Sequence, residues 1–478
     1  MIIMSLTKAI AGNTAVQVAG KFTGVLLSVL TVAVMTRHLG RTGYGEFTTA
    51  ISFLQFFGIL VDFGLTLTMI KMISEPGADE RRIVTNIFTL RVISGVFFFG
   101  LAAIIAQFFP YNQSVRLAIA VGSISFLCVS LSQIFTGVFQ KKLAVRLAAI
   151  AEVAGRGALL VGVFWAARAG AGLLTIMTIL AASNILQLVL SLAFARRLVN
   201  FGWAADLPLW RVIFRQSWPI GLAIIFNLVY LKGDVIILSL FRTRAEVGLY
   251  GAAYKVLDVI TILPTVFMGL VLPVLANVWT SGDRQDFNRK LGRAFEFLSI
   301  LAIPLVFGTI AVASDVMTLI AGPEFAEAGP LLAVLMAAGA MVFWSALYGH
   351  TIVAIGLQRR MLWGYGADAV ISLALYFLLI PRYGAVAAAW VTLFSEAFMF
   401  LATAFVVIRA TGARPDLRVW LRSLAASVIM FGGLWGLSSV PVLPRVLAGI
   451  VTYAAFLFVF GGISLDTIRP FLKQPSNP

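Results

Sequence analysis

Eleven ionisable side chains lie inside long apolar runs: the bases Lys21, Arg91, Arg156, Lys232 and Lys255, and the acids Asp62, Glu152, Asp234, Asp258, Asp368 and Glu396. A charge at mid-membrane depth costs about 2.5–3.5 kcal/mol on insertion scales, so residues of this kind face a wet cavity or a partner. Two pairs can answer each other locally. Glu152 and Arg156 stand at i,i+4 and Lys255 and Asp258 at i,i+3, spacings that put both members on one helix face. Lys232 and Asp234 cannot pair with each other, because i,i+2 neighbours point about 200° apart on a helix. Each needs water or a partner from elsewhere. Asp234 lies eight residues before Arg242 and Lys255 nine after Glu246, which puts both about 12–14 Å inside the same surface. A contact between Asp234 and Lys255 across neighbouring helices is therefore expected.

The chemistry open to these residues is binding rather than bond-making. Lys21, Arg91 and Arg156 fall on the first, third and fifth apolar runs, each about 14–15 Å from the nearest flank. With Lys232 and Lys255 they form a candidate phosphate-binding set, since Arg forks and Lys points donate charge-assisted hydrogen bonds to phosphate oxygens. Asp62, Asp368 and Glu396 have no local base, and an unpaired carboxylate in such a setting exchanges a proton or ligates Na⁺. These three, with Glu152, Asp234 and Asp258, are the candidate cavity or ion-coupling carboxylates. In the short outward loops no nucleophile stands beside a base, and no phosphate-cradling glycine loop or metal-ligand spacing occurs. One cysteine, Cys128, rules out a multi-cysteine metal site, and two histidines, His38 and His350, leave little for a zinc or haem centre. The expectation is a non-enzyme without metal or cofactor, driven by an H⁺ or Na⁺ gradient or by substrate supply, because no ATP-binding motif is present.

Elements that hold charges this way must cross a membrane. Hydrophobic residues make up 60% of 478 positions and charged residues 12%, about half the ~25% usual in soluble domains. Mean hydropathy is +0.99. Apolar segments long enough to span recur at 12–36, 44–70, 83–109, 114–139, 145–167, 171–195, 217–241, 247–275, 292–319, 330–355, 361–380, 385–408, 419–437 and 446–464. An all-α polytopic membrane protein of about fourteen helices follows. Pro264, Pro273 and Pro304 are expected to kink their spans.

The net charge of +16 reports topology and contact with anionic lipid; without a basic block of five or more residues, nucleic acid is excluded as a partner. With the N-terminus inside, twenty-three Lys and Arg fall between spans on that side, among them Arg81, Arg82, Lys141, Lys142, Arg211 and Arg215. Eight fall on the other side: Arg37, Arg41, Arg116, Arg168, Arg242, Arg244, Arg382 and Arg445. The bias predicts both termini in the cytoplasm. Below, the two sides are called the basic face and the opposite face.

The stretch 201–216, within RRLVNFGWAADLPLWRVIFRQ, is expected to be an amphipathic linker helix on the basic face. It separates a six-helix lobe at 1–200 from a second at 217–410, with residues 411–478 forming a final helix pair and tail. The halves are weakly alike in order: RHLGRTGYGEFTTA (37–50) with FRTRAEVGLYGAA (241–253), QKKLAV (140–145) with QRRMLW (358–363), and RAGAGLL (168–174) with RYGAVAA (382–388). An even number of spans per half makes the repeats parallel, related by a pseudo-twofold axis along the membrane normal.

Three stretches resemble the polysaccharide flippases, the Wzx-type O-antigen and exopolysaccharide transporters of the multidrug/oligosaccharidyl-lipid/polysaccharide exporter superfamily. They are LGRTGYGEFTTAISFLQFFGILVDFGL, GDVIILSLFRTRAEVGLYGAAYKV and LLIPRYGAVAAAWVTLFSEAF. The second carries an Asp followed by Val-Gly-x-Tyr-x-x-Ala, met by Asp234, Val247, Gly248, Tyr250 and Ala253. The third resembles an Ile-Pro-x-x-Gly-x-x-Gly-Ala-Ala pattern, with Val386 where a second Gly is usual. The resemblance implies two six-helix lobes plus a final pair, in a bacterial cytoplasmic (inner) membrane. It also implies a cavity that opens to each face in turn and passes an undecaprenyl-pyrophosphate-linked oligosaccharide outward, with polymerase or assembly proteins as partners. The alternatives are a peptidoglycan lipid-precursor flippase, a multidrug or cation antiporter of the same superfamily, and, from another class, a membrane polysaccharide polymerase or ligase. Short outward loops weigh against the last.

Overall fold

A computed structural model describes residues 2–462, and the side chains of all of these except 2–18, 223 and 227–231. The described residues contain helices and no strand. Eleven helical stretches among them are long and apolar enough to cross a membrane. Two of these, Ala19–Ser74 and Gln358–Thr411, each hold two expected spans, and the expected span 217–241 lies in a further helix, Leu207–Phe241. Each of the fourteen expected spans thus lies mostly in helix, in a multi-pass membrane protein, and residues 463–464 of the last fall outside the described residues.

The chain packs as two compact units, residues 1–251 with 376–384, and residues 252–375 with 385–478. The first holds α1 (Ile2–Asp62), α2 (Leu65–Ser74), α3 (Glu80–Ile105), α4 (Gln113–Lys141), α5 (Val145–Arg168), α6 (Leu173–Arg196), α7 (Leu207–Phe241) and the first turns of α8 (Arg244–Ile260). The second holds the rest of α8, α9 (Ile262–Ser281), α10 (Arg284–Ala321), α11 (Gly329–Ala354), most of α12 (Gln358–Thr411), α13 (Arg418–Gly436) and α14 (Val442–Val459). The packing boundary therefore falls inside α8, and the linker expected to divide the chain lies within the first unit.

Local chemistry sets the helix ends. Asp79, Asn112, Asp206 and Asp283 accept from the amides of Arg82, Val115, Leu209 and Asp286, capping α3, α4, α7 and α10. The long runs of α1 and α12 are each broken by one non-helical glycine, Gly40 and Gly384. Of the expected proline kinks, Pro264 breaks its span at Thr261, between α8 and α9, where its ring would clash with the preceding turn. Pro273 and Pro304 lie inside continuous helices.

The core of unit 1 is apolar and aromatic. Phe53, Leu54 and Phe57 of α1 bury against Phe99 of α3, Ile119 of α4 and Met177 of α6. A second cluster joins Met69 of α2, Ile87 of α3, Ile134 of α4 and Ile213 of α7. In unit 2 the final pair packs on α10: Met430 and Tyr453 meet Ile300 and Phe307, and the Tyr453 hydroxyl donates to the Ile300 carbonyl at 2.7 Å. Such hydrogen bonds stabilise helix contacts in a solvent as apolar as the side chains themselves.

The linker departs from expectation. Residues 201–206 form no helix, and the amphipathic stretch 207–216 is the opening of α7. The reason lies on α3. The amides of Gly202, Ala204 and Asp206 donate to Thr85 Oγ1 (3.3 Å), Thr89 Oγ1 (3.2 Å) and Asn86 Oδ1 (2.9 Å). Side chains of α3 thus replace the bonds a helix would have made. Trp210 Nε1 donates to the same Asn86 oxygen at 2.9 Å, and Arg82 pairs with Asp206. The Leu209 amide, and after it the Arg82 side chain, hold the Asp206 carboxyl below its ordinary range. Asn86→Ala leaves two donors without their acceptor and should lower stability by about 1–3 kcal/mol. Thermal melting of the purified protein checks this.

Candidate functional site

Between α1, α2, α4 and α7 of unit 1 lies a cavity of ≈ 620 Å³, lined in part by Asp62, Thr66 and Lys232. Its wall is made by a break the sequence reading did not anticipate. α1 stops at Asp62, Phe63 and Gly64 take positive φ, and α2 restarts at Leu65. Asp62-Phe63-Gly64 is a turn signal hidden in an apolar run. The Asp62 carboxylate serves the break, accepting from the Gly64 amide at 3.2 Å and from Thr66 Oγ1 at 2.6 Å.

Asp62 also has a base, contrary to expectation. Arg91 Nη2 of α3 stands 2.5 Å from Asp62 Oδ1 and donates to Thr66 as well. Arg91 is fully buried, and its Nε and Nη1 have no hydrogen-bond partner among the described residues. It stands behind Asp62 and Thr66 and does not line the cavity. The sequence missed this pair because its members are twenty-nine residues apart and meet only through the Phe63–Gly64 break.

The other bases are dispersed. Lys21 is exposed on α1. Arg156 pairs with Glu152 at 2.8 Å as the spacing required, and donates to the Gly24 carbonyl at 3.0 Å. In α8, Lys255 stands 4.0 Å from Asp258. Lys232 and Asp234 diverge as their spacing demands. Lys232 lines the cavity, while Asp234 is buried and accepts from the Tyr250 hydroxyl at 2.5 Å. The Asp and Tyr of the flippase-like motif are therefore in contact.

In unit 2, Asp368 and Glu396 are buried on α12. Asp368 accepts from Ser372 Oγ at 3.0 Å and from Ser395 Oγ at 2.7 Å, and Glu396 lies within its electrostatic reach. Among the described residues, serine hydroxyls rather than cations answer this acid.

At the opposite face of unit 1, the hairpins are tied together. The buried Glu46 accepts from Asn112 Nδ2 (2.7 Å), Ser114 Oγ (2.9 Å) and Arg244 Nη1 (2.9 Å). Beside it the backbones of α1 and α8 touch. A Cβ on Gly45 would lie 1.8 Å from the Arg244 carbonyl oxygen, and one on Gly248 would lie 2.0 Å from that of Arg41. These residues are matched positions of the two repeats, so the copies of the motif pack reciprocally.

The solved structures share this fold. One titled "Lipid II flippase MurJ, inward closed conformation" superposes with a TM-score of 0.77 at 14% identity, covering 96% of this chain and 99% of that one. An inward-facing multidrug resistance MATE family transporter of the MOP superfamily superposes at 0.69 with 11% identity, covering 84% and 98%. The all-helical, two-lobe fold of that superfamily is thus the fold of this chain. Among curated proteins, the "probable low-salt glycan biosynthesis flippase Agl15" of Haloferax volcanii is 23% identical over 95% of this chain and 93% of its own length. The succinoglycan biosynthesis transport protein ExoT of Rhizobium meliloti is 20% identical over 88% and 87%. The model of the polysaccharide biosynthesis protein family matches residues 10–279, more than half the chain, and this protein belongs to that family.

Proposed function

We propose that the protein is a flippase that moves a polyprenyl-pyrophosphate-linked oligosaccharide from the cytoplasmic to the outer leaflet, by alternating access, for polysaccharide biosynthesis. The observation that carries this is the cavity of unit 1, whose mostly apolar wall carries Asp62, Lys232 and glutamine amides, set in a bundle whose outside is lipid-facing. Lipid tails need no such cavity, but a hydrophilic headgroup in transit does. Membership of the polysaccharide biosynthesis family supports the substrate class. The basic face is the cytoplasmic one, both termini lie there, and the membrane is a bacterial inner membrane. The role is transport rather than catalysis, with a polymerase downstream.

Lys232, on the cavity wall, is the base we assign to the pyrophosphate. Asp368 and Glu396 are the carboxylates assigned to H⁺ or Na⁺ exchange, since a buried acid answered by hydroxyls can take up a cation without breaking an ion pair. Deleting the gene should trap lipid-linked oligosaccharide in the cytoplasmic leaflet, and the wild-type gene should release it. Lys232→Met should restore less than about a tenth of export at normal protein level, the scale of one charge-assisted bond. Accumulation of single repeat units already on the outer face would instead point to a polymerase, and arrest of peptidoglycan synthesis to a peptidoglycan-precursor flippase.

A further inference from the structure

The strap at 201–206 and the helix ends beside it carry positive charge that no described part of the chain answers. Arg81 on α3, Arg196 and Arg197 at the end of α6, and Arg211 and Arg215 on α7 are all exposed. None makes an ion pair or a side-chain hydrogen bond among the described residues. The acids nearby are already engaged. Asp206 holds Arg82, Asp79 caps α3, and Glu80 is bridged by Lys141 and Lys142. The Arg82–Asp206 bridge also joins the start of α3 to the start of α7, so their arginines share one surface on the basic face.

Apolar groups are interleaved with that charge. Trp203 is 69% exposed although it stands in a loop, and Leu207, Phe214 and Trp218 are exposed on α7. Leu207, Arg211, Phe214 and Trp218 recur at helical spacing, so one side of the opening of α7 is both basic and apolar. The Trp203 ring meets Phe88 with centroids 5.4 Å apart, and its Nε1 has no acceptor among the described residues. Arg81, Arg82 and Trp203 line a hollow of ≈ 400 Å³. The amides of Gly202, Ala204 and Asp206 are spent on α3, whereas those of Trp203 and Ala205, in the wall of the hollow, make no hydrogen bond among the described residues. Donors grouped in this way suit phosphate oxygens, and the unpaired arginines call for net negative charge. A soluble anion or an acidic protein would answer the arginines but has no call for the aromatic rings. The apolar side of α7 runs on into the expected span 217–241, which makes the surface continuous with lipid. Indole rings at such a boundary keep their apolar body in the acyl region and their N–H among headgroups.

We infer that the start of α3, the strap and the opening of α7 form a docking surface for anionic phospholipid, with one phosphate headgroup seated in the hollow between Arg81 and Trp203. A cluster of this size beside a transmembrane helix attracts an anionic leaflet, each arginine adding about fivefold in affinity. Because α3 holds the strap, the headgroup meets groups already in place, and little ordering cost is left to binding. The surface is separate from the cavity of unit 1, and the inference does not depend on what that cavity carries.

The test titrates the purified full chain, in neutral detergent, with phosphatidylglycerol or phosphatidylcholine and counts the retained lipids by native mass spectrometry. The wild type should hold phosphatidylglycerol about tenfold or more the tighter, with the preference shrinking as salt is added. Arg81→Gln/Arg211→Gln/Arg215→Gln should weaken phosphatidylglycerol on the order of 100-fold and leave phosphatidylcholine unchanged. Trp203→Leu should weaken both lipids several-fold, and Arg81→Lys should keep most of what Arg81→Gln loses. If the triple variant aggregates, Arg81→Gln alone and Trp203→Leu carry the same comparison. Equal retention of the two lipids by the wild type overturns the inference. So does an equal loss from Arg359→Gln/Arg360→Gln, exposed arginines of unit 2, which would show net charge alone at work. Displacement of phosphatidylglycerol by inorganic phosphate at equal concentration would assign the hollow to a free anion, and preferential binding of a polyprenyl pyrophosphate at these arginines would assign it to the transported lipid. Either result overturns the phospholipid surface and leaves the flippase reading standing.

Discussion

Replacing Arg91 by leucine is expected to unfold much of the protein, and replacing Asp62 by asparagine in the same chain is expected to bring most of it back. Arg91 is wholly buried and its guanidinium stands 2.5 Å from Asp62. Removing one member of a buried ion pair costs about 3–5 kcal/mol, and the low end applies here because the surviving Asp62 carboxylate is half-buried and keeps its place on the cavity wall. That is a large share of the ~5–15 kcal/mol that holds a typical domain together. Asp62 loses more than charge neutralisation, since its carboxylate also holds the amide exposed at the break between α1 and α2. Asparagine keeps an acceptor for the Gly64 amide and sheds the charge. Melting of the single and double variants in detergent, with the amount recovered from membranes, reads this out. Equal melting of Arg91→Leu and the double variant would show that the pair does not hold the fold. Arg91 belongs by sequence among the phosphate candidates; its place behind the cavity wall makes it a support for Asp62 and Thr66.

The second large effect is steric. Gly45→Val should reduce transport more than tenfold and destabilise the conformation seen here by about 3 kcal/mol, near the upper end for overpacking. The obstacle is backbone: the new Cβ would fall 1.8 Å from the Arg244 carbonyl oxygen, with the Gly248 amide nitrogen at 3.0 Å. No rotamer change relieves such a clash, so the helix ends must part, and the Arg244–Glu46 bond with them. Gly248→Val should do the same through the Arg41 carbonyl. A cysteine placed at Thr42, beside these residues, should then react faster with an impermeant maleimide than in the wild-type background. The one native cysteine, Cys128, is buried and adds little labelling of its own. An unchanged labelling rate in Gly45→Val would show that the contact does not close this face.

What could be read in the sequence was what helical geometry fixes at short range. The spans followed from apolar length, and the Glu152–Arg156 and Lys255–Asp258 pairs followed from i,i+4 and i,i+3 spacing. The divergence of Lys232 and Asp234 followed from the same rule. What could not be read depends on breaks and on neighbours distant in sequence. The Asp62–Arg91 pair needs the turn at Phe63–Gly64, and Asp368 needs Ser395 from the following span. The strap at 201–206 was misjudged because its partners, Thr85, Asn86 and Thr89, look like unremarkable polar residues of a span.

The strap also bears on where the chain keeps its slack. Counted by sequence, the loop between α6 and α7 is ten residues long, and a tether of that length would give free play to whatever it joined. Its second half is pinned to α3 at the amides of Gly202, Ala204 and Asp206, which removes that play. The chain instead passes from one unit to the other inside helices, within α8 and on either side of the short α12 segment 376–384. A helix resists bending except where its ladder is already interrupted, and α12 is interrupted at Gly384.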